Sequence, residues 1–372
     1  MLLPTRYFAI PSASSRLAAL KPKYLTIIAI VLFFLITGSF IHIQNPDRIH
    51  SALQRLPGTD AYAKFATPAK LARNQTLGFQ EIFYISLPFR TDRQDAISLL
   101  SSFTGIKSTM IEGVDGGSVH PKGKTIASNL NPGAFGCWRS HANIWRKVMD
   151  EDIETALIVE DDADWDVNIK DQLFRISQGV LSHTSLLDNQ TAYTRKDAPY
   201  GTDWDLFFIG QCKSTPPKEK SKIGPVIAVE DPSILPLKKL ESKHVSELKA
   251  YNITTSSTRA IARVHDTICT TAYAVSRRGA ERLLYNWGYK DFGLGIDNEF
   301  SFGMNDGKIK GVVVAPPLIE QWKTGTGADS DIDAVAGAAS GERLGSEGGS
   351  TRNIKNSARK AMKEWVKWQK KR

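Results

Sequence analysis

The chain has 372 residues, 41% hydrophobic and 23% charged, an ordinary globular mixture that excludes a disordered or collagen-like polypeptide and leaves room for one large domain or two modest ones. Its formal charge of +9 suggests a polyanionic partner, but residues 1–24 carry four bases and no acid, residues 352–372 carry nine bases against Glu364 alone, and the stretch between holds 35 bases against 38 acids. The body of the protein is slightly acidic, which argues against a nucleic-acid-binding domain.

After a basic leader (1–24) comes LTIIAIVLFFLITGSFIHI, residues 25–43, with no Lys, Arg, Asp or Glu. As a helix at 1.5 Å per residue it spans about 28 Å, close to the hydrocarbon thickness of a bilayer. The expectation is a single transmembrane signal-anchor helix; the apolar core of a cleaved signal peptide is shorter, roughly 7 to 15 residues. The excess of bases on its N-terminal side predicts a cytoplasmic tail at 1–24. The rest then lies on the lumenal side of the secretory pathway, a type II arrangement with the Golgi as the expected location. The Asn-x-Thr sequons at Asn74, Asn189 and Asn252 agree with that side. Cysteines are few, Cys137, Cys212 and Cys269, so at most one disulfide forms. Cys212 with Cys269 is the preferred pair, because Cys137 sits in an apolar helical stretch; three free thiols are the alternative.

Residues 44–80, with Pro46, Pro57, Gly58 and Pro68, read as a stem. From Glu81 short apolar runs alternate with amphipathic helices, which predicts an α/β fold with a largely parallel sheet. The expected elements are a strand at 82–87, a helix at 91–103, a strand at 109–114 and a helix at 132–149 opened by Asn131 and Pro132. A short buried strand at 155–159 follows, then strands at 205–209, 272–275 and 311–315, with a helix at 278–287. Residues 213–257, rich in Pro, Lys and Ser, read as a surface insertion, and the Gly-rich residues 324–350 as a flexible linker. In the basic segment 351–372, Ile354, Ala358, Ala361, Met362 and Trp365 recur at helical spacing. That is an amphipathic helix, which either lies on an anionic surface or packs on the domain.

The strand at 155–159 runs into Glu160-Asp161-Asp162-Ala163-Asp164, four carboxylates within five residues. Carboxylates that close repel one another unless a cation or water offsets their charge, and ligand sites of open α/β sheets lie outside the carboxyl ends of the strands. Oxygen-only ligation suits Mg²⁺ or Mn²⁺, which commonly bridge a diphosphate to protein. The competing reading is a solvated acidic turn. Zinc is disfavoured, since the seven His and three Cys show no ligand spacing, and there is no Gly-rich phosphate loop.

LIVEDDADW (157–165) resembles the glutamate-aspartate-aspartate segment of glycosyltransferase family 25, whose members include lipooligosaccharide and procollagen galactosyltransferases. The other blocks agree in order. FYISLPFRTDR (83–93) is similar to the family's opening strand and Arg-x-x-Asp-Arg turn, with Ser86 where many members have Asn. Val114-Asp115-Gly116 matches a further block, and PGAFGCWRSHANIW (132–145) resembles the Gly-Cys-x-x-Ser-His helix. WDLFFIG (204–210), AYAVSRRGAERLL (272–284), Asp297 and PPLIEQ (316–321) follow. The resemblance covers roughly residues 81–322, within a catalytic domain set at 81–323.

The resemblance implies a GT-A type fold, a Rossmann-like nucleotide-sugar-binding α/β sandwich. It also implies an inverting transfer from a UDP-sugar, galactose foremost, to a glycan or glycoprotein. A metal held by Asp162 and Asp164 would stabilise the departing diphosphate. Glu160, Asp161, Asp115, Arg90 and Arg93 are assigned to donor binding, although helix-start arginines are often merely exposed. Inversion needs a base opposite the leaving group; Asp297 and Glu299 are the candidates, Asp297 preferred, with helix capping the competing role. His141 either donates to phosphate or acceptor or is structural. Trp138, Trp165, Trp204 and Trp322 either stack on sugars or belong to the core. The reading from another class is a non-catalytic membrane-anchored adhesion or scaffold protein on the same fold.

Overall fold

The computed structural model describes residues 68–124, 130–183, 187, 198–219, 222–290, 293–324, 331 and 349–369. The expected tail, membrane helix at 25–43 and most of the stem and Gly-rich linker lie outside the described residues. Among those described, no helix is long and apolar enough to cross a membrane.

The first half alternates strictly: β1 (Glu81–Ser86), α1 (Thr91–Thr104), β2 (Thr109–Glu112), α2 (Pro132–Asp150) and β3 (Thr155–Glu160). It continues with β4 (Ala163–Trp165), α3 (Ile169–Leu181), β5 (Leu206–Gly210) and β6 (Lys213–Thr215). Then come β7 (Ile227–Glu230), α4 (Ser242–Ala250), β8 (Thr258–Val264), β9 (Asp266–Ile268), β10 (Ala272–Ser276) and α5 (Arg277–Leu283), which runs into a π-helical turn, Leu284–Lys290. The last elements are α6 (Ile296–Asn305), β11 (Gly311–Ala315), β12 (Ile319–Gln321) and α7 (Ala358–Gln369).

One eight-stranded sheet, in the order β2-β1-β3-β10-β5-β11-β8-β7, carries the fold. β1 pairs in parallel with β2 and β3, and β5 with β11. β10 and β8, however, run against their neighbours. The sheet is therefore mixed, which corrects the expectation of a largely parallel one. Alternation along the strands divides the core into two layers. Leu157, Val159, Phe207 and Ile209 face α1, α3 and α7, while Ala156, Ile158, Leu206 and Phe208 face α2, α4, α5 and α6. Helices cover both faces, as a nucleotide-binding sandwich requires. Trp138, Trp165, Trp204 and Trp322 are all core residues, not sugar platforms.

At the periphery, residues 213–257 are more than a surface insertion: they supply β7 at the sheet edge, and α4 packs against β6 and β11. Residues 258–264 form a central-sheet strand hidden in the sequence by Arg259 and Arg263. Arg259 is buried and satisfied, donating to Asp231 Oδ2 at 2.6 Å and to the carbonyls of Pro316 and Pro317 at 2.6 and 3.0 Å. The basic segment docks on the domain: Ala358 is fully buried, and α7 packs against α1 and β4.

Helix α2 begins as its sequence demands, with Asn131 Oδ1 accepting the Ala134 N–H at 2.7 Å and Pro132 in the first turn. Its approach to residues 114–116 is close enough to require glycine on both sides. A Cβ on Gly136 would lie 2.2 Å from the Val114 carbonyl oxygen, and one on Gly116 would lie 1.9 Å from that of Pro132. Ser140 Oγ adds a bond, accepting the Val114 N–H at 2.8 Å. These contacts fix the helix face that carries Cys137 and His141 beside the end of β3.

Candidate active site

The carboxyl ends of β1 and β3 lie side by side, and antiparallel β10 brings residues 270–272 to the same edge. Glu160 N–H donates to the Thr271 carbonyl at 2.9 Å, and Thr270 Oγ1 donates to Glu160 Oε1 at 2.7 Å. Asp161 turns toward the first strand, where Ser86 Oγ donates to its Oδ2 at 2.7 Å and Arg93 Nη1 to its Oδ1 at 2.8 Å. Arg90 joins this edge through Asp92 at 3.1 Å and Asp331 at 2.5 Å. The two arginines are thus not free helix-start cations: both are mostly buried and paired beside the acidic segment. Burial works against the Arg93 charge, but Asp161 and Asp162 together hold its pKa above the ordinary value.

Asp162 differs from its neighbours. Its carbonyl accepts the Trp322 N–H at 2.7 Å, yet its carboxylate Oδ1 is buried without a hydrogen-bond partner. Burial raises the Asp162 carboxyl above the usual carboxylate range, with Asp161 adding to the shift against the pull of Arg93. Glu160 is raised by burial first and by Asp162 and Asp161 next. Two adjacent carboxylates that resist ionisation, one of them with an orphaned oxygen, constitute a demand for positive charge.

Asp164 is also raised by burial, but the protein itself satisfies its oxygens. It is fully buried, and its oxygens are occupied: Ser357 Oγ and Thr351 Oγ1 donate to Oδ2 at 2.5 and 3.1 Å, and Arg359 N–H donates to Oδ1 at 3.1 Å. Its carboxylate caps the start of α7 from across the fold. Arg359 completes the lock, donating to the carbonyls of Ala163 at 3.0 Å and Asp161 at 3.1 Å, with its guanidinium 5.7 Å from the Trp322 ring. The expected ligand pair Asp162 and Asp164 is therefore split by the geometry into one available carboxylate and one structural one.

His141 is buried, with Nδ1 3.0 Å from Tyr273 Oη, which also accepts the Trp145 Nε1–H at 3.0 Å. Its Nε2 lies 3.9 Å from Glu160 Oε1, and burial pushes its pKa down to about 3, so it is neutral at physiological pH. Asp297 sits in the first turn of α6, partly exposed, with Cys269 N–H on Oδ2 at 3.1 Å and Asn298 N–H on Oδ1 at 2.9 Å. Its negative field reaches Cys137 together with that of Glu160, which puts it on the same edge as the acidic segment. Glu299 is a loop anchor: Trp287 Nε1 donates to its Oε2 at 2.6 Å and the N–H groups of Gly293 and Leu294 to its Oε1 at 2.9 and 3.0 Å. Asp115 is exposed and closes a turn through Gly117 N–H at 2.9 Å.

Beside Thr271 a cavity of about 350 Å³ opens between Gln211, Cys212, Lys243, Glu320 and Lys323. A larger one of about 640 Å³, lined by Thr155 and Ser276, lies at the opposite edge of the sheet, away from the acidic segment. The disulfide Cys212–Cys269 joins the bend between β5 and β6 to the residue whose N–H holds Asp297, which settles the pairing and leaves Cys137 as the free thiol. The residues that sequence reasoning missed are Thr270, Thr351, Ser357 and Arg359. Ser86 had a signal in its departure from the resembling block, and the others had none.

Against known proteins, the profile of glycosyltransferase family 25 (LPS biosynthesis protein) matches residues 79–297. Human procollagen galactosyltransferase 2 is 28% identical over 166 residues, covering 41% of this chain and 24% of that protein. The human inactive glycosyltransferase 25 family member 3 is 26% identical over 200 residues, 50% of this chain and 30% of the relative. Zebrafish (Danio rerio) procollagen galactosyltransferase 1 is 28% identical over 149 residues, 36% and 22% of the respective chains. The chain thus aligns with less than a third of the length of these relatives.

Proposed function

The chain belongs to glycosyltransferase family 25, and on that premise we propose that it transfers a sugar, galactose foremost, from a UDP-sugar to a glycan or glycoprotein acceptor with inversion at the anomeric carbon. The observation that carries the reading is the orphaned, buried Asp162 Oδ1 beside Glu160 at the end of β3. An oxygen donor set of that kind fits Mn²⁺ or Mg²⁺. Asp162 would hold the ion, with Glu160 beside it. When bound, the ion supplies charge neutralisation for the departing diphosphate.

The chain's own groups carry the remaining steps. Arg93 and Arg90, both oriented by carboxylates, supply positive charge where a diphosphate would lie on the β1 side. Asp297, fixed by two backbone N–H groups, takes the proton of the acceptor hydroxyl as that oxygen attacks the anomeric carbon and the bond to the diphosphate breaks. Glu299 has no such role, because its oxygens are engaged by Trp287 and the loop before α6. The cavity between Gln211, Lys243 and Lys323 opens next to Thr271 and is the proposed acceptor side of the cleft. The Cys212–Cys269 disulfide supports an oxidising compartment, in keeping with a type II membrane protein whose catalytic domain faces the Golgi lumen. Asn74 and Asn252 are exposed, as glycosylation sites there need to be.

The test is release of UDP and transfer from a panel of UDP-sugars with Mn²⁺, with and without EDTA, for the full chain and for Asp162→Asn. The proposal expects metal-dependent turnover that the substitution abolishes while the circular dichroism spectrum is unchanged. Unaltered turnover in Asp162→Asn would remove the metal assignment. Since the relatives include a protein named inactive, nucleotide-sugar binding without turnover would favour the non-catalytic reading instead.

A further inference from the structure

We propose that Cys137, His141 and Glu160 form a binding site for a thiophilic divalent cation of the zinc class, distinct from the oxygen site at Asp162. Cys137 and His141 are four residues apart on α2, so both side chains project from one helical face. The edge of β3 delivers Glu160 against that face. The Cys137 sulfur, one ring nitrogen of His141 and one carboxylate oxygen of Glu160 all lie within 4.8 Å of one another, and His141 Nε2 is 3.9 Å from Glu160 Oε1. Ligands of a tetrahedral zinc ion, with bonds of about 2.0 to 2.3 Å, sit roughly 3.3 to 3.8 Å apart. Closing the observed gaps takes side-chain movements of about 1 Å.

The surroundings suit a ligand set. Tyr273 Oη accepts the Trp145 Nε1–H and lies 3.0 Å from His141 Nδ1; in the tautomer that metal binding selects, Nδ1–H donates to Tyr273 and the Nε2 lone pair is left on the side of Glu160. A histidine whose second nitrogen is held in this way is the usual outer support of a metal-bound imidazole. His141 is buried and neutral at physiological pH, so no proton has to leave it. Thr270 Oγ1 orients Glu160. Cys137 and Glu160 are partly exposed, which gives the ion a path in and leaves a fourth position for water. On binding, the sulfur–metal and oxygen–metal bonds form as the protons of the Cys137 thiol and of the Glu160 carboxyl, which burial holds on, pass to solvent. Thiolate and carboxylate then balance the divalent charge. Spacing along the sequence hid this site, because Glu160 joins the cysteine and histidine only through the fold.

Occupancy would tie down Glu160 next to Asp162, so a zinc-class ion should inhibit transfer rather than support it. Binding can be read without catalysis. Cys212 and Cys269 are joined, so Cys137 is the one thiol of the chain able to become a metal thiolate. Cobalt(II) titrated into the full chain should give one equivalent of sulfur-to-cobalt charge-transfer absorption, displaced by Zn²⁺, and Zn²⁺ should protect the thiol from alkylation at least tenfold. The band should vanish in Cys137→Ser, weaken in His141→Gln, and survive in Asp162→Asn. Cobalt binding without that band, thiol reactivity indifferent to Zn²⁺ in the unmodified chain, or a band lost in Asp162→Asn would each overturn the proposal. The thiol-protection measurement needs no variant, so a folding failure of Cys137→Ser leaves the test intact.

Discussion

Arg359 Nη2 donates to the carbonyl oxygen of Asp161 at 3.1 Å, joining α7 to the acidic segment across 198 positions of sequence. Its Nε donates to the Ala163 carbonyl at 3.0 Å, so a single buried side chain satisfies two backbone acceptors of the turn that presents Asp162. The basic segment is thus part of the site's frame.

Replacing Arg359 with Ala leaves both carbonyls unpaired in the interior, at about 1 to 3 kcal/mol each. Urea unfolding of the variant should show a loss of about 2 to 5 kcal/mol. Arg359→Lys should recover only part of it, because an ammonium cannot reproduce the fork geometry. A midpoint equal to that of the unmodified chain would mean that the turn supports itself.

Asp162→Asn and Asp164→Asn should part company. Asp162 carries a carboxyl raised by burial and like charge, so its ionised form costs folding energy at neutral pH. Neutralising it is expected to raise stability by about 1 kcal/mol, roughly 2 to 4 °C in Tm, while removing transfer. Asp164 is raised by burial too, but Asp164→Asn loses an acceptor shared by Ser357, Thr351 and the first turn of α7, a loss that outweighs the relief and should lower stability by about 1 to 3 kcal/mol. Differential scanning calorimetry of the two variants decides it; shifts of the same sign would contradict the division of roles.

Asp297→Asn should cut kcat by a factor on the order of 10² to 10⁴ with little change in Tm, as expected of a base. Glu299→Ala, which frees Trp287 Nε1 and the N–H groups of Gly293 and Leu294, should lower Tm first and affect kcat only as the loop loosens. A Glu299 variant with native Tm and abolished turnover would reverse the assignment.

His244 is fully buried between Glu247 Oε2 at 3.0 Å and Glu320 Oε1 at 3.2 Å. Burial opposes its charge, but the two carboxylates outweigh it and raise its pKa above the ordinary value. A raised folded pKa means that this contribution to stability is complete below the unfolded value of about 6.5 and is lost as pH rises through the folded value. Thermal melts from pH 6 to 9 should fall more steeply for the unmodified protein than for His244→Gln; parallel curves would remove the imidazolium from the account.

Much of the frame was legible. Strand ends, the Asn131–Pro132 helix start and the acidic edge all follow from local pattern, and β3 overshoots its expected end by a single residue, Glu160. What local pattern cannot convey is the pairing of distant charges. Arg259 and Arg359 look like surface residues until Asp231 and two proline carbonyls, or the backbone of residues 161 and 163, are folded around them. For the same reason nothing near Asp164 in sequence announces Ser357 as its partner, and residues 213–257 read as a surface insertion although β7 lies within them, its strand mate β8 carrying two arginines.

The Arg359 link also sets an order of events. A chain is made from its N-terminus at roughly 5 to 20 residues per second, so a gap of 198 residues keeps the turn at Asp162 waiting on the order of 10 to 40 s for its buried brace. During that interval the nascent polypeptide holds its acidic edge unsupported. Under the proposed function, a partly synthesised chain should therefore transfer sugar less well than one in which residue 359 has emerged and docked.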